Sequence, residues 1–461
     1  MTDAAFYTEI DAFIRENREN ILRDIRRICA VPSVNGPAEE GKPFGAGPAK
    51  ALDTALTIAD EMGLHTNNCE GYMGYASCGQ GTEYLATICH LDVVPAGDGW
   101  LADPFTVRER EGWLIGRGVM DDKGPAILTL YLLKYLKEKN VPLKHEIRAL
   151  LGVNEEIGMK DVDWYLEHYD APKFCFTPDA AFPVCNGEKG IFHGRVISRA
   201  VKGHVKDIRG GVAGNAVPAK AEAWVIASGE LPNTERVTAE KEGELWHLTA
   251  TGKSGHAAHP GGAVNAIALL VDYMLENHIP VPEEARYFRV LQKIHSATDG
   301  SGIGVAANDG KFDALTLGGS VNGVTEDGHF FQVLDSRYPT NTSGEKIRST
   351  IEVASEGAAK VVTDGDAPPF FIEADRPEIR SLIETFNAVT GQEAKPFTMG
   401  GGTYARHFPN AASFGAESFQ MKAPEWVGGV HGPEEGGNID WLMTALKIYI
   451  AAMIKLDSSL E

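Results

Sequence analysis

Apolar and polar positions in the first part of the chain follow two alternating periods. Short apolar runs typical of buried strands are followed by stretches with apolar residues at helical spacing, in the order EYLATICHLDVV, AILTLYLLKYLKEKN, HEIRALLGVN, KDVDWYLEHY and KFCFTPD. This alternation predicts an α/β fold with a mostly parallel, twisted sheet flanked by helices. The first 27 residues mix charges and apolar residues at helical spacing, so we expect a surface helix there and not a signal peptide.

The pattern changes near Gly190. Longer β-rich runs such as AKAEAWVIAS, ELWHLTATG and HFFQVLDSRYP follow, with helical stretches like NAIALLVDYMLENH between them. We interpret residues 190–380 as an inserted α+β domain, and residues 1–189 and 381–461 as the two parts of the domain that it interrupts. A length of 461 residues also favours two domains over one compact core.

Charge and composition exclude several classes of protein. Lys and Arg number 43 against 64 Asp and Glu, which gives a formal net charge of −21. Such a surface repels nucleic acid and anionic membranes, and no apolar run approaches the roughly 18 residues of a membrane span. The six cysteines include no CxxC pair, so we expect reduced thiols in a cytoplasmic protein.

Polar residues with distinctive chemistry follow the predicted strands. His90 and Asp92 come after ATIC, Glu155 and Glu156 come after ALLGVN, and Asp179 comes after FCFTP. The carboxyl ends of strands in an open α/β sheet form the edge at which ligands bind. We therefore expect these side chains to meet in one site, where one of the two glutamates binds a metal ion and the other takes a proton from water.

Two further segments extend this group of residues. In GRGVMDDKGP, the adjacent charges of Asp121 and Asp122 are unfavourable without a cation, so one of the two is a candidate to bridge two metal ions. An acidic helix-capping loop is the alternative interpretation. His431 in GGVHGPEEGGN completes a set of imidazoles and carboxylates that suits divalent metals.

The motifs HLDVVP, GRGVMDDKGP, NEEIG, TPDA and HGPEE resemble, in order and spacing, the five signatures of the aminoacylase/carboxypeptidase family of co-catalytic metallopeptidases. Within that family the chain is most similar to the peptidase V type bacterial dipeptidases, over essentially its whole length. The resemblance implies a hydrolase that cleaves dipeptides or similarly small peptides with two divalent metal ions. Zinc is the first expectation, with manganese or cobalt as alternatives.

The resemblance also assigns roles to residues. It implies two overlapping sets of metal ligands: His90, Asp121 and Asp179 for one ion, and Asp121, Glu156 and His431 for the other. Glu155 matches the general base of the family, and Asp92 matches the carboxylate that supports His90. Residues 1–189 and 381–461 would then form the catalytic domain, and residues 190–380 would form a lid.

Substrate-binding positions follow from the same resemblance. TGKSGHAAHPGGAVNA resembles the lid motif whose histidine, here His256 and not His259, stabilises the tetrahedral oxyanion. Asn215 in GNAVPAKAE matches an asparagine that faces the substrate, and Arg337 in LDSRYP is a candidate partner for a free carboxylate. A salt bridge on the strand surface is the alternative for Arg337. The glycine-rich GGTYAR segment adds the substrate-binding positions Gly401, Gly402 and Thr403.

Two alternative functions stay open at this point. An N-acyl amino acid deacylase or desuccinylase of the same family would use the same machinery, although such enzymes generally have a shorter lid and lack GGTYAR. A catalytically silent binding protein with this fold is the alternative from another class. The long lid implies a monomer, with a dimer as the alternative, and we expect a small peptide as the partner and neither nucleic acid nor membrane.

Overall fold

The computed structural model describes residues 3–214, 216–256 and 261–460, with the side chains of residues 3 and 256 excepted. These residues separate into two compact units. Unit 1 contains the residues up to Asn186, Ile372–Phe397 and the residues from Gly402 onward, whereas unit 2 contains Gly187–Phe371 and Thr398–Gly401. The assignment of residues 190–380 as a lid and of the remainder as a catalytic domain stays a prediction.

The elements are numbered in chain order. Up to the start of unit 2 the helices are α1 (Asp3–Cys29), α2 (Ala46–Glu61), α3 (Lys123–Glu138) and α4 (Lys160–His168). The strands of this part are β1 (His65–Cys69), β2 (Met73–Cys78), β3 (Tyr84–His90), β4 (Arg108–Arg110), β5 (Trp113–Ile115), β6 (Glu146–Gly152), β7 (Phe174–Thr177), β8 (Ala180–Phe182) and β9 (Cys185–Glu188).

The next strands are β10 (Gly190–Val201), β11 (Val205–Gly210), β12 (Ala216–Val217), β13 (Lys220–Val225), β14 (Val237–Glu242), β15 (Leu245–Thr251), β16 (Gly255–His256), β17 (Thr316–Val324), β18 (His329–Tyr338), β19 (Ala359–Ala367) and β20 (Phe370–Phe371). They are accompanied by α5 (Ala266–Glu276), α6 (Pro282–His295) and α7 (Gly344–Ala354). The chain ends with α8 (Pro377–Thr390), β21 (Phe397–Met399), β22 (Ala411–Ser413), β23 (Ala416–Ser418), β24 (Gly436–Asn438) and α9 (Ile439–Ser459).

The main sheet of unit 1 has the strand order β1-β2-β6-β3-β7-β22. The pairings of β3 with β6 and β7, and of β7 with β22, are parallel. β2 pairs antiparallel with both β1 and β6, so the mostly parallel sheet that the sequence predicts is confirmed and carries an antiparallel edge. Every residue of β3 is buried, as expected for a central strand of a covered sheet.

The helices of unit 1 bury their apolar faces against one core. In α1, Ile10, Phe13, Ile21 and Ile25 are buried, and the ring of Phe13 packs edge-on against that of Tyr135 at 5.1 Å between centroids. Each such apolar side chain stabilises the fold by roughly 1.5–3 kcal/mol through removal from water. The long apolar helix α9 is also largely buried in this core. Among the residues described, no helix has both the length and the apolar character that crossing a membrane requires.

Unit 2 is built on an eight-stranded sheet with the order β14-β15-β13-β11-β17-β18-β10-β19. Its described pairings are antiparallel, and α5, α6 and α7 contribute apolar residues to its core. This arrangement agrees with the α+β domain that the sequence pattern predicts. The core includes stacked aromatic rings of Tyr287 and Phe330, whose centroids are 6.0 Å apart.

One histidine of unit 2, His295, is half-buried and has a fully buried Nε2. Asn265 Nδ2 lies 3.5 Å from His295 Nδ1 and donates a hydrogen bond to the carbonyl of Gly319 at 2.7 Å. Burial lowers the pKa of His295 to about 4, although a hydrogen bond with Gln332 and the negative charge of Asp272 act in the opposite direction. The folded protein therefore holds this side chain uncharged near neutral pH.

Acid should destabilise unit 2 through His295. An unfolded histidine has a pKa of about 6.5, so the unfolded chain takes up this proton first as the pH falls. Stability is then lost between about pH 6.5 and pH 4, by up to about 1.4 kcal/mol per pH unit. Urea unfolding at pH 7.5 and pH 5 should show a smaller loss for His295→Gln than for the wild type.

The matched control is the exposed His278, replaced by Asn, which tolerates the positive φ of 53° at this position. This variant should keep the pH dependence of the wild type. Equal pH dependence of His295→Gln and the wild type would contradict the assignment of this effect to His295.

Candidate metal centre

The predicted site residues lie at one edge of the unit 1 sheet. His90 ends β3, Glu155 and Glu156 follow β6, and Asp179 follows β7. These three strands are parallel neighbours, so the loops at their carboxyl ends converge. Asp121 comes from the turn before α3, and His431 comes from the loop before β24.

Asp121 lies between two imidazoles. Its Oδ1 is 2.9 Å from His90 Nε2, and its Oδ2 is 2.9 Å from His431 Nε2. His431 Nε2 is also 3.3 Å from Glu156 Oε2, and His90 Nε2 is 3.8 Å from Asp179 Oδ2. The structure thus brings together the five residues that the resemblance assigns as metal ligands, with Asp121 at their centre.

The neighbouring Asp122 has different surroundings. It is fully buried, and its Oδ2 accepts a hydrogen bond from the backbone N–H of His90 at 3.1 Å. Asp122 precedes α3 but makes no side-chain capping hydrogen bond to that helix. The helix-capping interpretation of this acidic pair is therefore not supported, and Asp121 is the member that faces both histidines.

Glu155 lies close to the same atoms. The candidate ligand atoms of His90, Glu155 and Asp179 are all within 4.8 Å of one another, as are those of His90, Asp121 and Glu156. Distance alone therefore does not separate a metal-binding role for Glu155 from that of a base.

Electrostatics indicate that this group of side chains suits a cation. Burial raises the pKa of Glu155 and of Asp179 well above the usual value, and neighbouring carboxylates raise it further, whereas His90 lowers it. Burial also acts to raise the pKa of Asp121. Hydrogen bonds from His431 and His90 outweigh this effect, so the pKa of Asp121 is lowered. Imidazole nitrogens and carboxylate oxygens at these separations fit zinc and similar divalent ions.

Asp92 positions the turn that carries the two glutamates. Its Oδ1 accepts a hydrogen bond from the backbone N–H of Glu155, and its Oδ2 accepts one from that of Glu156, both at 3.1 Å. Asn35 Nδ2 donates to Oδ2 at 2.7 Å. His90 Nδ1 is 3.0 Å from the Asp92 carbonyl oxygen and 3.5 Å from Oδ1. Asp92 thus contacts His90 more closely through its backbone, while its carboxylate holds the glutamate turn.

Glu435 plays the equivalent part for the turn before α3, and the sequence analysis missed it. Its buried Oε1 accepts hydrogen bonds from three backbone N–H groups of that turn, including that of Asp121, at 3.0–3.3 Å. Arg117 Nη1 donates to Glu435 Oε2 at 2.6 Å, and Nη2 donates to the His431 carbonyl at 3.2 Å. The motif HGPEE could have pointed to Glu435, because this glutamate follows the candidate ligand His431 by four residues.

Asp161 and Tyr404 form a further support that the sequence analysis did not assign. Asp161 accepts hydrogen bonds from the backbone N–H groups of Val153 and Asn154 at 2.6 and 2.9 Å, and another from the Tyr404 hydroxyl. The ring of Tyr404 lies edge-on to His90 with the centroids 6.5 Å apart. Tyr404 belongs to the GGTYAR segment, whose preceding residues had been assigned to the substrate instead.

The remaining predicted positions are distributed over both units. In unit 1, Thr403 is buried next to Gly402 and accepts a hydrogen bond from the backbone N–H of Ala405 at 3.1 Å, at the start of a 3₁₀ turn. In unit 2, which also contains Gly401, Arg337 Nε and Nη2 donate to the two carboxylate oxygens of Asp335, each at 2.9 Å. Arg337 is buried, so its salt bridge is not the surface pair considered as the alternative.

One predicted site residue, Asn215, lies outside the described part of the chain, and another lies there in part. His256 ends the short strand β16, and its side chain is not described. His259, to which the sequence gives no role, also lies outside the described residues. The roles of Asn215 and His256 stay predictions.

Comparisons with known proteins identify the family. The family model for Peptidase family M20/M25/M40 matches residues 86–455, most of the chain. The chain belongs to this family. M20 membership agrees with the co-catalytic metallopeptidases that the sequence motifs resemble.

Similar M20 proteins share nearly the whole length of the chain. YtjP of Bacillus subtilis (strain 168), which is named as a dipeptidase, is 30% identical over 465 residues, 95% of this chain and 97% of the relative. The Beta-Ala-Xaa dipeptidase of Lactobacillus delbrueckii subsp. lactis is 30% identical over 467 residues, 96% of this chain and 97% of the relative. The structure of Bacillus subtilis YXEP, a dinuclear metal-binding M20 peptidase, has the same fold, with a TM-score of 0.56, 10% identity and coverage of 97% and 100% of the two chains.

Replacing Asp92 by Asn should weaken metal binding without unfolding the protein. An asparagine amide would turn an N–H group towards a backbone N–H donor of the glutamate turn, so Glu156 would lose its fixed position. We expect metal affinity to fall roughly 10- to 100-fold. The measurement is a competition titration of metal-stripped protein with zinc and a chelator.

The exposed Asp98, in the same loop, provides the matched control. Asp98→Asn makes the same change in charge and should bind zinc like the wild type. An unaltered zinc affinity of Asp92→Asn would show that the Asp92 carboxylate does not hold the metal-binding turn.

Proposed function

We propose that this M20 metallopeptidase hydrolyses the peptide bond of dipeptides or similarly small peptides. The observation that carries the proposal is the carboxylate of Asp121 between the imidazoles of His90 and His431, each at 2.9 Å. One carboxylate between two nitrogen ligands is the arrangement that two co-catalytic ions require. The names of the full-length relatives support dipeptides as the substrate class.

The proposal assigns the ligands as two overlapping sets: His90, Asp121 and Asp179 for one ion, and Asp121, Glu156 and His431 for the other. The described distances among these side chains support this division. Zinc is the first choice, followed by manganese and cobalt. When bound, such ions supply Lewis acidity to the scissile carbonyl and lower the pKa of water.

Glu155 is the proposed general base. Its backbone is fixed by the hydrogen bond to Asp92, so its carboxylate is held beside the ligands. Burial raises the pKa of Glu155, which makes this carboxylate a stronger base than an exposed glutamate. In the proposed reaction Glu155 takes a proton from the attacking water and returns it to the amine that leaves, and no covalent intermediate forms.

Unit 2 would contribute to substrate binding. We assign the oxyanion to His256, contact with the substrate to Asn215, and the free carboxylate of the C-terminal residue to Arg337. The pairing of Arg337 Nε and Nη2 with Asp335 fixes the plane of the guanidinium, so in this assignment the free carboxylate would meet the remaining N–H groups of Nη1 and Nη2. Gly401, Gly402 and Thr403 would line the same substrate, and closure of residues 190–380 as a lid would exclude water.

The cysteines and the net charge bear on compartment and partners. Among the described residues Cys29, Cys69, Cys78, Cys89 and Cys175 form no disulfide, and four of these five are buried, which supports a reducing cytoplasmic environment. We propose a monomer that acts on small peptides and binds neither nucleic acid nor membrane, with a dimer as the alternative. The formal charge of −21 supports the exclusion of nucleic acid.

The proposal predicts metal-dependent release of amino acids from unblocked dipeptides. Metal-stripped protein should be inactive, because the carboxylate and imidazole ligands alone cannot polarise the scissile carbonyl. Activity should return on addition of zinc, manganese or cobalt. The measurement is amino acid release from a dipeptide panel, with N-acetylated and N-succinylated amino acids tested in parallel.

Two other results of this substrate panel would contradict the dipeptidase proposal. Activity only on the N-acylated amino acids would replace the dipeptidase by a deacylase or desuccinylase of the same family. No activity on any substrate, with metal bound, would favour the catalytically silent binding protein.

A further inference from the structure

Glu417, a carboxylate residue with no assigned role, lies on the strand that pairs with the segment directly after Asp179. β23, which contains Glu417, pairs in parallel with β8, so that Glu417 stands opposite Ala181. The backbone N–H of Ala180 donates to the carbonyl of Gly415 at 2.9 Å. Because Ala180 directly follows the candidate ligand Asp179, this pairing fixes Glu417 next to the segment that leaves the metal site.

The Glu417 side chain is exposed and is not used by the rest of the described structure. It belongs to neither group of candidate metal ligands, and within the described residues its carboxylate has no hydrogen-bond or ion-pair partner. Its backbone lies opposite Ala181, two residues beyond the candidate ligand Asp179. Although the residue is exposed to solvent, partial desolvation of its carboxylate and the negative charge of Asp121 raise the pKa of Glu417, whereas the charge of His431 lowers it.

The chemistry of an unblocked dipeptide calls for such a group. Its α-ammonium nitrogen is two bonds from the scissile carbonyl carbon, or about 2.5 Å away, so the ammonium must lie near the metal centre when the carbonyl is attacked. An N-acyl amino acid has the same scissile bond but no such cation. A site that separates the two substrates therefore needs an acceptor for an ammonium close to the metals.

The ligands themselves do not supply that acceptor. The four carboxylates of Asp121, Glu155, Glu156 and Asp179 would be balanced by two divalent cations, so the loaded centre carries little net charge. The ammonium group needs a further carboxylate at the edge of this centre. Glu417 has no hydrogen-bond or ion-pair partner among the described residues, and the pairing of β23 with β8 places it opposite Ala181, two residues beyond Asp179.

We propose that Glu417 binds the α-ammonium group of the substrate and so selects unblocked dipeptides over N-acyl amino acids. This inference rests on the proposed function and names the residue that determines its substrate class. An ammonium–carboxylate contact acts on both the ground state and the transition state of the bound substrate. Its loss should therefore appear mainly in KM and only weakly in kcat.

The test compares Ala-Ala with N-propionylalanine, which differs from it only by the absence of the α-ammonium group. Glu417→Gln, with zinc bound, should raise KM for Ala-Ala roughly tenfold and leave kcat nearly unchanged. For N-propionylalanine, the kcat/KM of Glu417→Gln should stay within about twofold of the wild-type value. If N-propionylalanine is not cleaved, its inhibition constant should stay within the same range. Glu417→Asp, which keeps the charge, should retain a preference for Ala-Ala between those of Glu417→Gln and the wild type.

Glu19→Gln in α1 is the matched control, because Glu19 is exposed and its loss makes the same change in net charge. It should behave as the wild type. A wild-type KM of Glu417→Gln for Ala-Ala, or an equal loss on both substrates, would overturn the role of Glu417. Failure of the wild type itself to cleave Ala-Ala is a different result, which would overturn the proposed function and this inference together.

Discussion

Four carboxylates share a small volume at the carboxyl ends of β3, β6 and β7, and two imidazoles face them. At 4 Å, two like charges repel by about 4 kcal/mol when the effective dielectric constant is near 20, so such a group is costly unless cations balance it. The pKa values of these carboxylates shift in opposite directions because of this repulsion and of the two imidazoles. Burial raises the pKa of Glu155 and Asp179, whereas the contacts of His431 and His90 with Asp121 lower the pKa of Asp121. The rest of unit 1 is arranged around this group.

Two buried acids hold the loops that carry the group. Asp92 accepts the backbone N–H groups of Glu155 and Glu156, and Glu435 accepts those of the turn that contains Asp121. In both cases a carboxylate that faces backbone donors fixes the orientation of a neighbouring side chain. These supports tie segments far apart in the sequence to one sheet edge, since Glu435 and Asp121 are separated by more than 300 residues.

The fold class, and the meeting of the candidate ligands at one edge of the sheet, could be predicted from the sequence. The period of apolar residues marks β3, β6 and β7, and polar residues directly after such strands must meet at one edge of a parallel sheet. The supporting contacts could not be predicted in the same way. The bond from Arg117 to Glu435 joins residues that no local pattern connects, and the antiparallel edge of β1 and β2 depends on pairings between strands. The residues alone left the choice between Asp121 and Asp122 open, and only the family resemblance favoured Asp121, because adjacent identical residues do not encode the direction of their side chains.

In the proposed mechanism Glu155 moves the proton while its neighbours bind two ions. Glu155→Gln isolates this role, because the substitution keeps the shape of the side chain and removes only its basicity. The variant should still bind two zinc ions per chain, as measured by equilibrium dialysis, and its kcat for a dipeptide should fall by about 10²- to 10⁴-fold. Turnover near that of the wild type would remove Glu155 as the base, and loss of one bound ion would make Glu155 a metal ligand instead.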